Sequence, residues 1–395
     1  MQAKIKIGDL REAITQASYT LDSKASSVGS WIYLIAMAAT EKDESRMYVY
    51  TSNLGMARTL LKIPADVIKS GYALIVPRLL GQTIGNLPAE EEIEIGLSAS
   101  GAKLQVKYGT LKSEIAVHAD GQKASEVLSS IPFNAKPCFT VSAATLVDLI
   151  NRTAFCTASG SNAITEGPWL SSVLLEASNG ALVGTATNRI IAGQCEVHDP
   201  LVTSVFSGGI HRDALVALKA ILSRKKEEEV TVTNATSNTG ATNEILFRFS
   251  DAILGIRQLA KPYPKAVAKI FTVPGEHRTA TINRAQLINV LARLSAYAEK
   301  GTLSLTFNGS TVVCATRGYG SAFQESVAKT EKSEGPTTVG LGLSDLSNVL
   351  SVMKSEDVVF RYGSDSDHIH VQEGESNFKY VLSPAEIEWG NKGKK

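Results

Sequence analysis

The chain has 395 residues, 44% of them hydrophobic, 20% charged and 6% aromatic, which excludes a disordered or fibrous protein and exceeds what one hydrophobic core usually serves. Its 40 Lys and Arg against 39 Asp and Glu leave a formal net charge of +1, so no global field draws it to nucleic acid or an anionic membrane. Segregated basic surfaces remain open to it, whereas so few aromatics argue against stacking the bases of a single strand.

In chain order, the opening stretch MQAKIKIGDLREAI carries charges where a signal peptide needs an unbroken apolar run, and an intracellular protein is expected. Within it, Ile5, Leu10, Ala13 and Ile14 space out as a strand that turns directly into a helix. WIYLIAMAA at 31–39 is too short to span a bilayer and reads as a buried strand. RMYVYTS at 46–52 and KLQVKYG at 103–109 alternate as strands do. Between them, Ile75, Leu80 and Ile84 mark a second strand-to-helix unit, followed by an acidic step into the strand PAEEEIEI at 88–95.

The same succession then recurs twice. Val141, Leu146, Leu149 and Ile150 repeat the first pattern, with Ser142 as N-cap; Ile282, Leu287, Val290 and Leu291 repeat it again, with Asn283 as N-cap. The second pattern returns at Ile210, Leu215 and Leu218, and at Leu341, Leu346, Val349 and Leu350. Each return is followed by its own acidic step, KKEEEVTV at 225–232 and KSEDVVF at 354–360. Their recurrence at one position favours solvated turns over metal ligands. Measured from Leu10 to Leu146 to Leu287, the period is 136 and then 141 residues, and each period divides into two similar halves. Proline-bearing breaks at 129–137 and 261–278 read as linkers. One helix per half cannot cover both faces of a sheet, so the fold class expected is α+β, with antiparallel sheets and helices segregated to one face.

Signals of chemistry are sparse. The phosphate-loop, dinucleotide-fold, nucleophile-elbow and zinc-protease signatures do not occur in the sequence. Cys138, Cys156, Cys195 and Cys314 form no C-x-x-C pair and read as reduced thiols, with Cys156 a small core residue. His368 and His370 share a strand face but lack a third ligand nearby, so a plain strand is expected there. We expect no enzyme activity, no metal and no cofactor. The competing enzyme reading would need carboxylates or histidines converging in a cleft.

Three stretches carry a family resemblance: GALVGTATNRIIAG at 180–193, LGIRQLAKPYPKAVAKIF at 254–271 and FKYVLSPAEI at 378–387. In order and spacing, on top of the threefold period, they resemble the bacterial DNA polymerase III β subunit, the sliding clamp. The resemblance implies three similar domains at 1–131, 137–272 and 278–395, each a duplicated helix-plus-antiparallel-sheet unit (the DNA clamp fold). They would form half of a six-domain ring closed by a head-to-tail homodimer. The implied function is that of a processivity factor encircling double-stranded DNA without reading its sequence. It would tether the DNA polymerase III α subunit and the clamp loader through short peptides, in the cytoplasm on the nucleoid. The alternative is a clamp paralogue that forms no ring and acts as a partner-binding decoy.

Holding DNA without base readout calls for cations near phosphates, and the candidates are Arg11, Lys24, Arg78, Arg152, Arg212, Lys219, Arg224, Arg293 and Lys354. Positions matching the family's partner-peptide pocket are Leu170, Thr185, Arg189, Ile190, Pro264, Val381, Leu382, Ser383 and Pro384. Ala296 and Tyr297 fall at the implied dimer interface. The chain departs from the family where Ala186, Thr187 and Asn188 replace Asp-Gly-His, where Ser383, Pro384 and Ala385 replace Met-Pro-Met, and in the tail EWGNKGKK after Ile387. A smaller, more polar pocket floor, partly covered by that tail, is the expected consequence.

Overall fold

A computed structural model of the chain describes residues 1–21, 30–41, 44–53, 56–119, 123–131, 135–159, 167–236, 243–259, 263–273, 277–299, 301–318, 321–363, 368–374 and 376–387. Helices among them are α1 (Ile7–Ser18), α2 (Pro77–Ile84), α3 (Ala124–Ser129), α4 (Ala143–Thr153), α5 (Arg212–Arg224), α6 (Arg284–Ser295) and α7 (Leu343–Val352). No described helix is long and apolar enough to cross a membrane.

Six of these helices follow directly from a strand, as the repeated spacing predicts. Gln2–Lys6 enters α1, Pro137–Ser142 enters α4 and Arg278–Asn283 enters α6; Gly71–Ile75, Phe206–His211 and Ser321–Gly342 lead into α2, α5 and α7. Every apolar position of the first pattern is buried: Leu10, Leu146 and Leu287 are each 0% exposed, and Ile14 is the most accessible at 5%. The second pattern is equally buried from Ile75 to Leu350. An apolar stripe at helical spacing has this outcome because only one face of each helix rests on its sheet.

The acidic steps prove to be turns with a structural task. The backbone carbonyls of Glu91, Glu228 and Glu356 accept hydrogen bonds from the N–H groups of Ile7, Ala143 and Arg284, at 2.8, 2.9 and 2.8 Å. Each turn thereby satisfies an orphan donor at the first residue of a helix. Side-chain caps complete two of the three. Ser142 Oγ accepts from Thr145 N–H at 3.0 Å, and Asn283 Oδ1 accepts from Gln286 N–H at 3.0 Å. Asn283→Ala is expected to cost about 1 kcal/mol in chemical denaturation, with Ser142→Ala costing a similar amount.

The chain forms two compact units, Met1–Val147 with Leu201–Gln258, and Asp148–Pro200 with Leu259–Lys395. The first unit holds a sheet in the order Asp66–Lys69, Gln2–Lys6, Glu92–Leu97, Lys103–Tyr108, Leu111–Ala116. Its second sheet runs Pro137–Ser142, Glu229–Thr236, Asn243–Arg248, Ala252–Arg257, Ala57–Pro64, Arg46–Asn53, Ile32–Met37, Gly71–Ile75. The expected buried strand is thus Ile32–Met37, with Ile32 and Leu34 fully enclosed. In the second unit the order is Ser172–Ser178, Ala181–Thr187, Ile191–His198, Phe378–Leu382, Ile369–Gln372, Asp357–Tyr362, Arg278–Asn283, Ser321–Gly342, Thr302–Gly318.

Two antiparallel pairings join segments far apart in sequence. Ala252–Arg257 lies against Ala57–Pro64 with Leu254 opposite Thr59, and Ile191–His198 lies against Phe378–Leu382 with Gly193 opposite Tyr380. Residues 137–272 therefore contribute to both units. The 261–278 stretch, read as a linker, contains a 3-10 turn at Lys265–Phe271 that buries Val267 and Phe271.

Candidate functional site

The second unit carries an open groove of about 400 Å³ built where three segments meet one sheet face. Ala192 and Val381 are opposite each other on adjacent strands and both point to that face. They form an apolar cluster with Val267 and Phe271 from the 3-10 turn, against which Trp169, Tyr263 and Ile270 pack. Trp169 stands edge-on to Tyr263, ring centres 5.4 Å apart. Gly167 has φ 138°, and a Cβ there would lie 2.6 Å from Trp169 Nε1, so only glycine lets the Pro168–Ser171 turn present the indole this way.

One wall of the groove is the tight turn between Ala181–Thr187 and Ile191–His198. Asn188 Oδ1 accepts from the N–H groups of Ile190 and Ile191 at 2.9 and 2.8 Å. Thr187 Oγ1 accepts from Arg189 N–H and donates to Ile191 O, both at 3.0 Å. From the neighbouring strand, Ser383 N–H donates to Ile190 O at 2.7 Å and Ser383 Oγ donates to Arg189 O at 3.0 Å. Arg189 is held at φ 76°, a left-handed conformation that few non-glycine residues adopt. Ile190 is left 55% exposed beside the groove.

Arg189, Ile190, Pro264, Val381 and Ser383 come together here as expected from the sequence. Leu170, Thr185 and Leu382 do not line the groove: all are buried, at 2, 4 and 1% exposure. Strand alternation turns Leu382 to the opposite face from Val381. Leu170 points inward where Trp169 points out, and Thr185 lies two residues back along its strand, within reach of Gln194 Nε2 at 3.4 Å. Pro384 is half-buried beyond Ser383 and outside the lining. The sequence reading missed Trp169, Ile191, Ala192, Ala266, Val267 and Ile270, and weighed His368 only as a metal ligand; Thr187, noted as a departure from the family at the pocket, does line the groove. The apolar residues at 267, 270 and 271 were the available signal, at the spacing of a helical turn.

His368 lines the groove, and His370 sits behind it at 6% exposure. Burial first, then the charges of His368, Arg361, His277 and Lys379, push the His370 imidazole down to about 4, so it is neutral at pH 7. Among the described residues no three His, Cys, Asp or Glu are arranged to hold a metal ion. Burial pushes the Cys156 and Cys195 thiols well up, which makes them core residues rather than nucleophiles.

The basic candidates among the described residues separate into four groups. Arg78 and Lys219 are exposed on α2 and α5. Arg224, Arg293 and Lys354 are also exposed but paired, with Glu12 at 3.0 Å, Glu325 at 2.9 Å and Asp148 at 2.7 Å. Such solvated pairs hold little free energy and open readily. Arg212 is half-buried, and Arg11 is turned inward to the carbonyls of Ile84 and Leu87, where it ties α1 to the end of α2. Arg152 is a correction. It is 3% exposed, its guanidinium pairs with Asp148 at 2.9 Å and Glu373 at 2.6 Å, and it lies 3.7 Å over the Phe378 ring. Such an arginine cannot face DNA. Lys24 and the tail at 388–395 lie outside the described residues.

Ala296 and Tyr297 are both exposed just after α6, and the Tyr297 ring lies flat on Phe323 at 3.7 Å. In the first unit, Val76 and Leu79 are exposed at the start of α2, 38 and 45% respectively, and were not singled out from the sequence. They fall off the buried stripe of their helix, which is the one sign the sequence offered.

The fold is shared with solved structures over almost the entire chain. It is similar to the DNA polymerase III subunit β from Pseudomonas aeruginosa, with a TM-score of 0.83, 18% identity, and 98% of this chain and 100% of that one covered. It is also similar to a putative DNA polymerase III β subunit from Eubacterium rectale, with a TM-score of 0.84, 14% identity and coverage of 98 and 99%. The β subunit from Thermotoga maritima gives 0.83 and 14%, with the same coverage. No family model matches the chain, and no curated protein matches its sequence. At these identities the likeness establishes the fold, which is the α+β fold of the sliding clamps in a divergent sequence.

Proposed function

We propose that the chain is a DNA sliding clamp, two copies of which close head to tail around duplex DNA while the groove beside Ile190 holds a short peptide of a polymerase or clamp loader. The observation that carries this reading is the extent of the likeness. A single repeat or local motif could be shared by chance, whereas 98% of the chain follows the clamp fold from end to end. On this reading 1–131, 137–272 and 278–395 are the three domains of each half-ring, and the protein acts in the cytoplasm as a tether without chemistry of its own.

Ring closure draws support from two sheet edges. Leu111–Ala116 ends one sheet of the first unit, and Thr302–Gly318 ends the sheet of the second. Each edge strand has a helix packed beside it, α2 for the former and α6 for the latter. Each of these helices carries exposed apolar residues at one end, Val76 and Leu79 in one case, Ala296 and Tyr297 in the other. Unpaired strand edges flanked by apolar side chains invite a heterologous contact, and such contacts close into a ring when the rotation allows. Light scattering over a dilution series is expected to give a species near twice 42.1 kDa that persists at low concentration. A monomer at every concentration would rule out a self-sufficient dimeric clamp and favour the non-ring paralogue.

The hold on DNA would rest on phosphate attraction alone, for which Arg78 and Lys219 are the best-placed candidates and Arg152 is not one. Arg78→Ala with Lys219→Ala is expected to weaken DNA association evenly across sequences. The salt dependence should fall by about one unit of slope for each phosphate the variant no longer neutralises. An unchanged slope in binding measured from low to moderate salt would remove both residues from the DNA-facing set.

A further inference from the structure

We infer that Asn188 is a positioning residue for the groove: through its side-chain oxygen it holds the 187–191 turn upright, so that Ile190 stands beside the groove instead of collapsing into it. This rests on the reading of the groove as a peptide site and goes beyond it, because Asn188 does not line the groove. The physical problem is plain. Ile190 is 55% exposed next to an open apolar slot that includes Trp169, Val267 and Val381. Left free, an isoleucine in that place gains by folding down onto the slot and shedding water. That movement would fill the site from within.

The turn opposes collapse from both sides. Asn188 Oδ1 receives the N–H groups of Ile190 and Ile191, and Ser383 fixes the carbonyls of Arg189 and Ile190 from the adjacent strand. Together these bonds also keep Arg189 at its positive φ. A backbone held by four hydrogen bonds to side chain and strand has little freedom left to lose when a peptide arrives, which is the benefit of pre-organisation. Asn and Asp side chains bond their own following N–H groups in this manner more strongly than Ser and Thr do, and Asp keeps the same acceptor at the same reach. That chemistry supplies the control.

The test measures anisotropy of a fluorescein-labelled clamp-binding peptide, taken from the source organism's own replicative polymerase, against full-length protein. Asn188→Ala is expected to weaken binding about tenfold. Asn188→Asp, which keeps the acceptor, should stay within about twofold of the parent. The thermal midpoint of both should match the parent, since the turn lies at the surface. Equal affinity of Asn188→Ala and the parent overturns the positioning role. So does Asn188→Asp binding as weakly as Asn188→Ala, or a loss of affinity that merely follows a loss of stability. If the parent itself binds no such peptide, the groove reading fails and the role of Asn188 falls with it.

Discussion

Replacing Glu373 with alanine is expected to cost the second unit about 3–5 kcal/mol of unfolding free energy, read from the midpoint and slope of urea denaturation. Glu373 is 6% exposed and accepts Arg152 Nη1 at 2.6 Å, Ser355 N–H at 2.7 Å and the N–H of Lys354. Burial alone would push its carboxyl up, but the hydrogen bonds from Lys354 N–H, Arg152 and Ser355 N–H outweigh it and hold the group below the usual carboxylate range. Alanine removes the acceptor for all three donors and leaves the Arg152 guanidinium enclosed, with only Asp148 and the face of Phe378 to compensate. That stranded charge is the main source of the cost. Replacing both partners, with Arg152→Met and Glu373→Leu, should be far milder, because no buried charge is left behind.

The same pair fixes an acid limit. The folded carboxyl titrates below its unfolded value of about 4.3, so its stabilising contribution is complete above that pH. The contribution is lost as pH falls through the folded value. Wild-type stability should therefore decline below roughly pH 4 more steeply than that of the Arg152→Met, Glu373→Leu variant. Parallel acid profiles for the two proteins would contradict this assignment.

Leu287→Ala is expected to cost about 2–5 kcal/mol by the same denaturation measurement. Leu287 is fully enclosed on α6, and the leucine occupies the position of Leu10 on α1 and Leu146 on α4. If the three are equivalent parts of one repeated unit, Leu10→Ala and Leu146→Ala belong in the same range. Val216 on α5 is 57% exposed, and Val216→Ala should change stability by no more than about 0.5 kcal/mol. A Leu287→Ala variant as mild as Val216→Ala would mean that the helix does not pack as described.

Features that depend on local periodicity were legible in the sequence. A helix lying on a sheet exposes one face and buries the other, so Leu10, Leu146, Leu287 and their neighbours declared themselves by spacing. The caps at Ser142 and Asn283 were legible for the same reason, since each requires only a suitable side chain at a helix start. Partners remote in sequence were not legible. Arg152 occupies the last turn of α4, where a cation is ordinarily solvated, and Glu373, which buries it, lies 221 residues further on. The pairing of Ala252–Arg257 with Ala57–Pro64 was hidden in the same way, because strand register across distant segments leaves no local mark.

The groove was half legible. Arg189, Ile190, Pro264, Val381 and Ser383 followed from resemblance, and the sheet does bring them together. Trp169 escaped notice because its neighbour Leu170 matched the pattern, and alternation in a short 3-10 turn cannot be read from letters. Val267 and Ile270 escaped because prolines on either side made a structured turn look like a linker. Asn188 stood at a departure from the family pattern. Its use became evident only from a positive φ at Arg189 and from the two N–H groups its side chain receives.

The most direct test of the sliding-clamp reading is retention on DNA of different topology after loading by the source organism's clamp loader. Protein loaded on closed circular duplex should stay bound through a moderate-salt wash and be released when one restriction cut makes the circle linear. Loss from circular and linear DNA at the same rate would mean that charge alone holds it, and would contradict a ring around the duplex.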